Sequence, residues 1–171
     1  HELISWMGEQ LVAAGLTAPK YHPWGKPMIA EREAVNRIIA LAEALDVPIQ
    51  VFHVSGAQSA EEIARAQARG LKVWGETCVH YLTLVAEDLD LAGFEGAKLV
   101  FGPPARTKAD QEALWDYMRR GIIEVISSDH APTRYDDPKG KKFAGEDGPF
   151  TQIPNGIPGL AARLPVLFTE G

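Results

Sequence analysis

Several features that are common in proteins are missing from this chain. Cys78 is the only cysteine among the 171 residues, so no internal disulfide can form. No stretch approaches the roughly 18 consecutive apolar residues that a membrane-spanning helix needs. Lys and Arg number 17 against 23 Asp and Glu, which gives no general attraction to nucleic-acid phosphates. The chain opens on His1 without a basic stretch followed by an apolar run, so no export signal is visible and we expect a cytoplasmic protein.

The chain does have an ordinary globular composition, 46% hydrophobic and 23% charged. Apolar residues recur with helical periodicity in residues 31–45, 60–69 and 108–120. Residues that start or stop helices flank these segments: Pro27 before the first, the capping boxes Ser59–Glu62 and Thr107–Asp110, and Gly70 and Gly121 at the ends. The sequence therefore predicts three helices with defined ends.

Short runs rich in β-branched residues lie between these helices, at 49–54, 72–77, 98–101 and 123–127. They are largely apolar on both faces, which predicts strands covered by helices. The alternation of strand, capped helix and strand is the βαβ signature of a parallel sheet or barrel. Residues 131–159 are rich in Pro, Gly and charge and predict a long loop region, within which 139–142 is expected to be solvated.

Polar side chains cluster where the predicted strands end, which is the edge of a parallel sheet where active sites form. His53 ends the first strand, Glu76 and Cys78 end the second, and Asp129 follows the fourth. An imidazole and a carboxylate at neighbouring strand ends are ligand types of a zinc or mixed hydrolytic metal site. Each residue also has a structural interpretation, which position alone favours for His53 and Cys78: His53 as a hydrogen-bonded strand residue, Asp129 as a loop cap, Cys78 as a small buried hydrophobe. His80 is expected to pack in the loop after the second strand.

Five motifs, in order and approximate spacing, resemble the cyclic amidohydrolases, and most closely the dihydropyrimidinase and hydantoinase group. They are His53-Val54-Ser55, Gly75-Glu76-Thr77-Cys78-Val79-His80-Tyr81-Leu82, Gly102-Pro103-Pro104-Ala105-Arg106, Ser128-Asp129-His130-Ala131-Pro132 and Ile153-Pro154-Asn155-Gly156-Ile157-Pro158-Gly159. The resemblance extends over essentially the whole chain.

The resemblance implies a metal-dependent hydrolase with a (β/α)₈ TIM barrel of the amidohydrolase type. Two divalent metal ions, usually zinc and bridged by a carboxylated lysine, would supply a metal-bound hydroxide that opens a dihydropyrimidine or hydantoin ring. By resemblance His53 is a metal ligand, and Asp129 is both a metal ligand and the general base. The main chain at Gly102 and Asn155 would bind the cyclic amide. Gly102 replaces the Ser usual in the family, which predicts an altered substrate preference.

The family's other metal ligands, a His-X-His pair, the bridging lysine and a further His, have no counterpart in this sequence. A complete barrel needs roughly 250 residues. We therefore expect residues 1–171 to be a partial TIM barrel comprising its last strands, with the earlier strands and the small β-domain absent. The 171 residues alone are expected to be poorly soluble and inactive. Expected partners are a small cyclic amide or imide and further copies of the chain in a homo-oligomer, a tetramer by resemblance, with neither nucleic acid nor membrane.

Two other functional classes stay open at this point. Allantoinases share the pattern of residues 76–81, including His80, although residues 153–159 favour the hydantoinase group. The collapsin response mediator proteins resemble the family but have lost metal ligands and act as cytoskeletal adaptors. The presence of both His53 and Asp129 argues against that adaptor class.

Overall fold

Three parallel strands and the helices that connect them form the centre of the structure, a computed structural model that describes residues 2–171. The strands are β1 (Ile49–Val51), β2 (Val73–Cys78) and β3 (Ile123–Ser127), hydrogen-bonded in the order β1-β2-β3. The helices are α1 (Glu2–Ala13), α2 (His22–Gly25), α3 (Met28–Leu45), α4 (Ala57–Ala68), α5 (Lys108–Arg119) and α6 (Leu160–Glu170). Short 3₁₀ turns occupy Pro19–Tyr21, Val79–Leu82, Ala86–Leu89, Glu95–Leu99 and Phe150–Gln152.

The βαβ pattern predicted from the sequence is confirmed. Helix α4 connects β1 to β2, and α5 connects β2 to β3. The strands pair in parallel, with Ile49 opposite Val73 in one pair and Cys78 opposite Ser127 in the other. Because the strands are parallel, their carboxyl ends reach the same edge of the sheet, where the polar strand-end residues can meet.

Most helix ends follow the predicted local chemistry. Helix α3 begins directly after Pro27, and α5 begins at a capping box in which the Thr107 hydroxyl accepts the Asp110 amide and the Asp110 carboxylate accepts the Thr107 amide. Gly70 and Gly121 have φ angles of 84° and 70°, the left-handed conformation that glycine adopts without steric cost. These local signals fix where the crossover helices stop.

The predicted start of α4 is wrong. Ser59 was expected to cap this helix, but the helix begins at Ala57 and Ser59 lies inside it, fully buried. The cap comes from another element, because Asp110 Oδ1 accepts the Ala57 amide at 2.9 Å. Asp110 thus caps α4 with one carboxylate oxygen and α5 with the other. A capping box read from neighbouring residues cannot reveal such a cap from a distant one.

The strand predicted at residues 98–101 is also wrong. A 3₁₀ turn occupies Glu95–Leu99, and the carbonyl groups that follow are taken by loops and side chains instead of a neighbouring strand. The Val100 carbonyl accepts the Gly156 amide at 3.1 Å, and the Phe101 carbonyl accepts His22 Nε2 at 2.8 Å. Apolar, β-branched composition identified a buried extended segment but not its hydrogen-bonding partners.

The main core lies between the sheet and helices α3, α4 and α5. Its fully buried side chains include Ile63, Leu114, Val54, Phe101 and Tyr81. The prediction that helices cover the strand residues on both faces is wrong in part, because Phe52, Trp74 and Val125 are exposed. None of the helices in residues 2–171 is both long and apolar enough to cross a membrane.

Candidate metal centre

The carboxyl ends of the three strands bring four polar side chains together. His53 follows β1, Glu76 and Cys78 lie in β2, and Asp129 follows β3. His53 Nε2 lies 3.9 Å from Asp129 Oδ1, while His53 Nδ1 lies 3.7 Å from Glu76 Oε1 and 3.3 Å from Cys78 Sγ. The structure thus gathers the strand-end residues that the sequence singled out, with the two ring nitrogens of His53 facing different groups.

The backbone at His53 and Asp129 adopts the left-handed region, with φ angles of 58° and 39°. Non-glycine residues in this region cost about 1–3 kcal/mol and concentrate at functional sites. The segment after His53 is nevertheless fixed to β2. The Val54 amide donates to the Glu76 carbonyl at 2.9 Å, and the Thr77 hydroxyl donates to the Val54 carbonyl at 2.8 Å. The strained His53 conformation is therefore held by hydrogen bonds on its neighbour.

A buried polar group lies behind the Nδ1 side of His53. Glu76 has only 1% of its side chain exposed, and its Oε1 atom accepts the hydroxyl of Ser127. Its Oε2 atom has no hydrogen-bond partner among residues 2–171. Burial raises the pKa of the Cys78 thiol to about 12, so this thiol is protonated at neutral pH and is not a nucleophile. Cys78 is buried, as predicted, but it also contacts His53 and Ser127.

His80 packs in an aromatic cluster instead of joining the centre. Its ring centroid lies 4.3 Å from that of Tyr81 and 4.5 Å from that of Phe101. Burial lowers the His80 pKa to about 4, and neither ring nitrogen has a hydrogen-bond partner within residues 2–171. The prediction that His80 packs after β2 is confirmed.

Tyr81 donates its hydroxyl to the Pro103 carbonyl at 2.9 Å and so anchors the chain next to Gly102.

The donors that could hold a metal fall into an accessible pair and a buried pair. His53 and Asp129 have 33% and 29% of their side chains exposed, and they supply an imidazole nitrogen and a carboxylate oxygen. Glu76 and Cys78 also have ligand atoms within 4.8 Å of a His53 ring nitrogen, but both side chains are buried and both contact Ser127. Glu76 Oε1 faces His53 Nδ1 at 3.7 Å, while His53 Nε2 faces Asp129. The accessible pair therefore fits a divalent cation.

A second pair of predicted site residues, Gly102 and Asn155, also comes together. A Cβ atom on Gly102 would lie 3.4 Å from Asn155 Oδ1 and 3.2 Å from the Lys26 ammonium. The Lys26 ammonium donates to Asn155 Oδ1 at 3.1 Å. Burial, with a smaller contribution from the charge of Arg106, lowers the Lys26 pKa. The sequence did not single out Lys26, because nothing local in it points to residues some 130 positions away.

Backbone pairing joins this second pair to the strand end that carries Asp129. His130 forms a parallel bridge with Ile157, and the Ala131 amide donates to the Ile157 carbonyl at 3.1 Å. The segment that contains Asn155 therefore runs beside the residues that directly follow Asp129. All four predicted site residues lie on segments connected at the carboxyl end of the sheet.

A charged network that the sequence did not reveal supports the His53 segment. Arg106 donates to Glu31 at 2.9 Å and to the Ser55 hydroxyl at 2.9 Å, and a further bond runs to the Lys26 carbonyl. Glu31 also accepts the Ser55 amide at 3.0 Å. Ser55 lies two residues after His53, so the ion pair fixes the chain at the centre. Its members come from three distant segments, which sequence spacing cannot connect.

Curated relatives match almost the entire chain. The D-hydantoinase of Ralstonia pickettii is 45% identical over 167 residues, which are 98% of this chain and 36% of that protein. The crystal structure of dihydropyrimidinase from Brevibacillus agri NCHU1002 superposes with a TM-score of 0.94 at 40% identity, covering 99% of this chain and 36% of that one. The chain belongs to the dihydropyrimidinase and hydantoinase family. The resemblance predicted from the five motifs is confirmed.

The same fold recurs in a more distant member of this family. The L-hydantoinase from Arthrobacter aurescens superposes with a TM-score of 0.87 at 28% identity and covers 100% of this chain. No family model matches the chain. The chain spans about 36% of the length of the hydantoinase relatives named above. The mixed α/β architecture of residues 2–171 is thus that of the corresponding part of a hydantoinase.

Proposed function

We propose that residues 1–171 are part of the catalytic TIM barrel of a cyclic amide hydrolase that opens dihydropyrimidine or hydantoin rings. The observation that carries this proposal is the pairing of His53 Nε2 and Asp129 Oδ1 at 3.9 Å on the strand-end edge. Relatives named D-hydantoinase and dihydropyrimidinase align over the entire site region. Their names support the hydantoinase reading over the allantoinase and adaptor readings.

His53 and Asp129 would hold a divalent cation, which we propose is zinc. When bound, such a cation activates water and polarises the scissile carbonyl group. Imidazole nitrogen and carboxylate oxygen are both ordinary zinc ligands, so the donor set agrees with this ion. Two ligands leave a cation largely hydrated. The proposed activity therefore requires further ligands, including the bridging carboxylated lysine, from outside residues 1–171.

Asp129 has the chemistry and the position to handle the proton of the reaction. Its Oδ1 atom would accept a proton as water attacks the amide carbonyl, and would return it to the ring nitrogen as the C–N bond breaks. A carboxylate at a partly exposed strand end can approach both atoms. The left-handed backbone at φ 39° holds the side chain in this position beside His53.

Gly102 and Asn155 are the proposed contacts for the cyclic amide itself. Their main-chain N–H and C=O groups can pair with the carbonyl and N–H groups of the planar imide portion of the ring. The Lys26–Asn155 hydrogen bond fixes the Asn155 side chain beside Gly102. Because main-chain atoms make these contacts, loss of the usual Ser side chain at position 102 alters the shape of the pocket without removing its polar groups.

Assembly of the protein into a homo-oligomer remains a prediction.

The proposal is tested with the full-length protein that contains this chain. Purified protein is assayed on hydantoin, dihydrouracil and allantoin, before chelation, after chelation and after zinc is restored. Asp129→Asn is expected to lose at least about 100-fold in turnover. The control Asp136→Asn, whose carboxylate is 85% exposed, should leave turnover unchanged. Turnover of allantoin alone contradicts the proposed substrate class, and absence of all hydrolysis by the zinc-loaded protein supports an adaptor instead.

A further inference from the structure

Lys141 is a buried cation in a segment that the sequence predicts to be solvated. Only 2% of the residue is exposed, so the prediction for residues 139–142 is wrong at this position. Its ammonium donates to the Val100 carbonyl at 2.7 Å and to the Pro154 carbonyl at 2.8 Å. No carboxylate forms an ion pair with Lys141 within the described residues 2–171. A buried ammonium without a counter-charge is costly, and its two hydrogen bonds to carbonyl groups offset only part of that cost.

The two carbonyl groups belong to the segments that carry the proposed substrate contacts. Val100 precedes Gly102 by two residues, and Pro154 directly precedes Asn155. The Gly156 amide also donates to the Val100 carbonyl at 3.1 Å, on the other side of Asn155. The Lys141 ammonium therefore connects the two main-chain segments that lead into Gly102 and Asn155.

The neighbouring cation Lys26 has a different role. It binds the side-chain oxygen of Asn155, whereas Lys141 binds only main-chain oxygens. The proposed substrate contacts are made by the main chain, so their spacing depends on Lys141 more directly than on Lys26. The burial of this ammonium lowers the Lys141 pKa to about 8.

We propose that Lys141 is a positioning residue for substrate binding: its ammonium sets the spacing between the main chain at Gly102 and at Asn155. The nature of the bound ring rests on the proposed function, but the effect of Lys141 on the two segments does not. Lys141 does not touch the reacting atoms. Its loss should therefore change the affinity for the substrate and leave the chemical step intact.

The test compares Lys141→Met with Lys139→Met in the full-length protein. Lys139 is an exposed neighbour in the same segment, so the control makes the same chemical change without a buried contact. Two hydrogen bonds from a charged donor predict a rise in KM of about 10-fold or more for Lys141→Met. Its kcat and its bound zinc should stay within about threefold of the parent. A KM equal to that of Lys139→Met overturns the proposal, as does a loss confined to kcat.

Two further measurements keep the proposal testable. Lys141→Arg keeps the charge, but its planar guanidinium is wider, so its KM should lie between those of the parent and Lys141→Met. If Lys141→Met does not fold, a parent-like KM for Lys141→Arg overturns the proposal. If the parent hydrolyses no cyclic amide, the proposed function fails, and amide hydrogen exchange decides the role of Lys141. The Gly156 amide should exchange at least about tenfold faster in Lys141→Met than in Lys139→Met. Equal exchange in the two variants overturns the proposed role of Lys141.

Discussion

Replacing Glu31 with Gln should destabilise the protein far more than the same change at an exposed carboxylate. Glu31 lies 2.9 Å from the Arg106 guanidinium, with side chains only 12% and 7% exposed. It also accepts the amide and the hydroxyl of Ser55. An amide in its place keeps one oxygen acceptor but leaves Arg106 buried without a counter-charge.

The expected loss follows from this burial. Removing one partner of a buried ion pair costs about 3–5 kcal/mol. Arg106 keeps its bonds to the Ser55 hydroxyl and the Lys26 carbonyl, so we expect the lower end of that range. The matched control is Asp116→Asn. Its pair with Arg120 spans 3.3 Å, but both side chains are 54% exposed, and such pairs contribute about 0–1 kcal/mol.

Urea unfolding of the parent and both variants measures the difference, with protein and metal concentrations held equal. The variant Glu31→Gln/Arg106→Met provides a further check. Removing both charges leaves no uncompensated ion, so it should lose less than the sum of the two single changes. A loss below about 1 kcal/mol for Glu31→Gln, or equal losses for Glu31→Gln and Asp116→Asn, would refute the reasoning.

Three more predictions follow from individual contacts. Glu76→Gln should lower zinc affinity about 10–100-fold in a chelator competition, because its carboxylate lies 3.7 Å from His53 Nδ1, and unchanged affinity would contradict this. Gly156→Ala should lower the midpoint of urea unfolding more than Gly15→Ala. Both glycines have a positive φ, but only at Gly156 would the added Cβ overlap a backbone carbonyl. Equal midpoints for the two variants would contradict this prediction. Burial lowers the His22 pKa from 6.5 to about 3, so the unfolded chain binds this proton first as the pH falls. Stability present above pH 6.5 should then fall by up to about 1.4 kcal/mol per pH unit toward pH 3, and His22→Gln should remove that slope.

The sequence predicted those parts of the fold that depend on neighbouring residues. Helices α3 and α5 begin where Pro27 and the Thr107 capping box indicate, and Gly70 and Gly121 take the expected left-handed conformation. The start of α4 was missed because its cap, Asp110, is 53 residues from the amide that it accepts. The strand predicted at 98–101 failed because apolar composition reports burial and says nothing about which group accepts each hydrogen bond.

The candidate site also has residues that the sequence could predict and residues that it could not. His53 and Asp129 were predictable because they follow apolar strands, and parallel strands bring their carboxyl ends to one edge. The charged groups that fix the surrounding chain segments could not be predicted. Lys141 was predicted to be solvated, and the sequence assigned no role to the side chains of Arg106 and Glu31. Only tertiary packing withdraws these three charges from solvent.

The most direct test of the central claim is the position of the metal in crystals of the full-length protein. Diffraction data collected on either side of the zinc absorption edge would locate any bound zinc by its anomalous signal. The account predicts zinc within about 2.0–2.2 Å of His53 Nε2 and of an Asp129 carboxylate oxygen. Zinc bound at full occupancy without either of these ligands would contradict it.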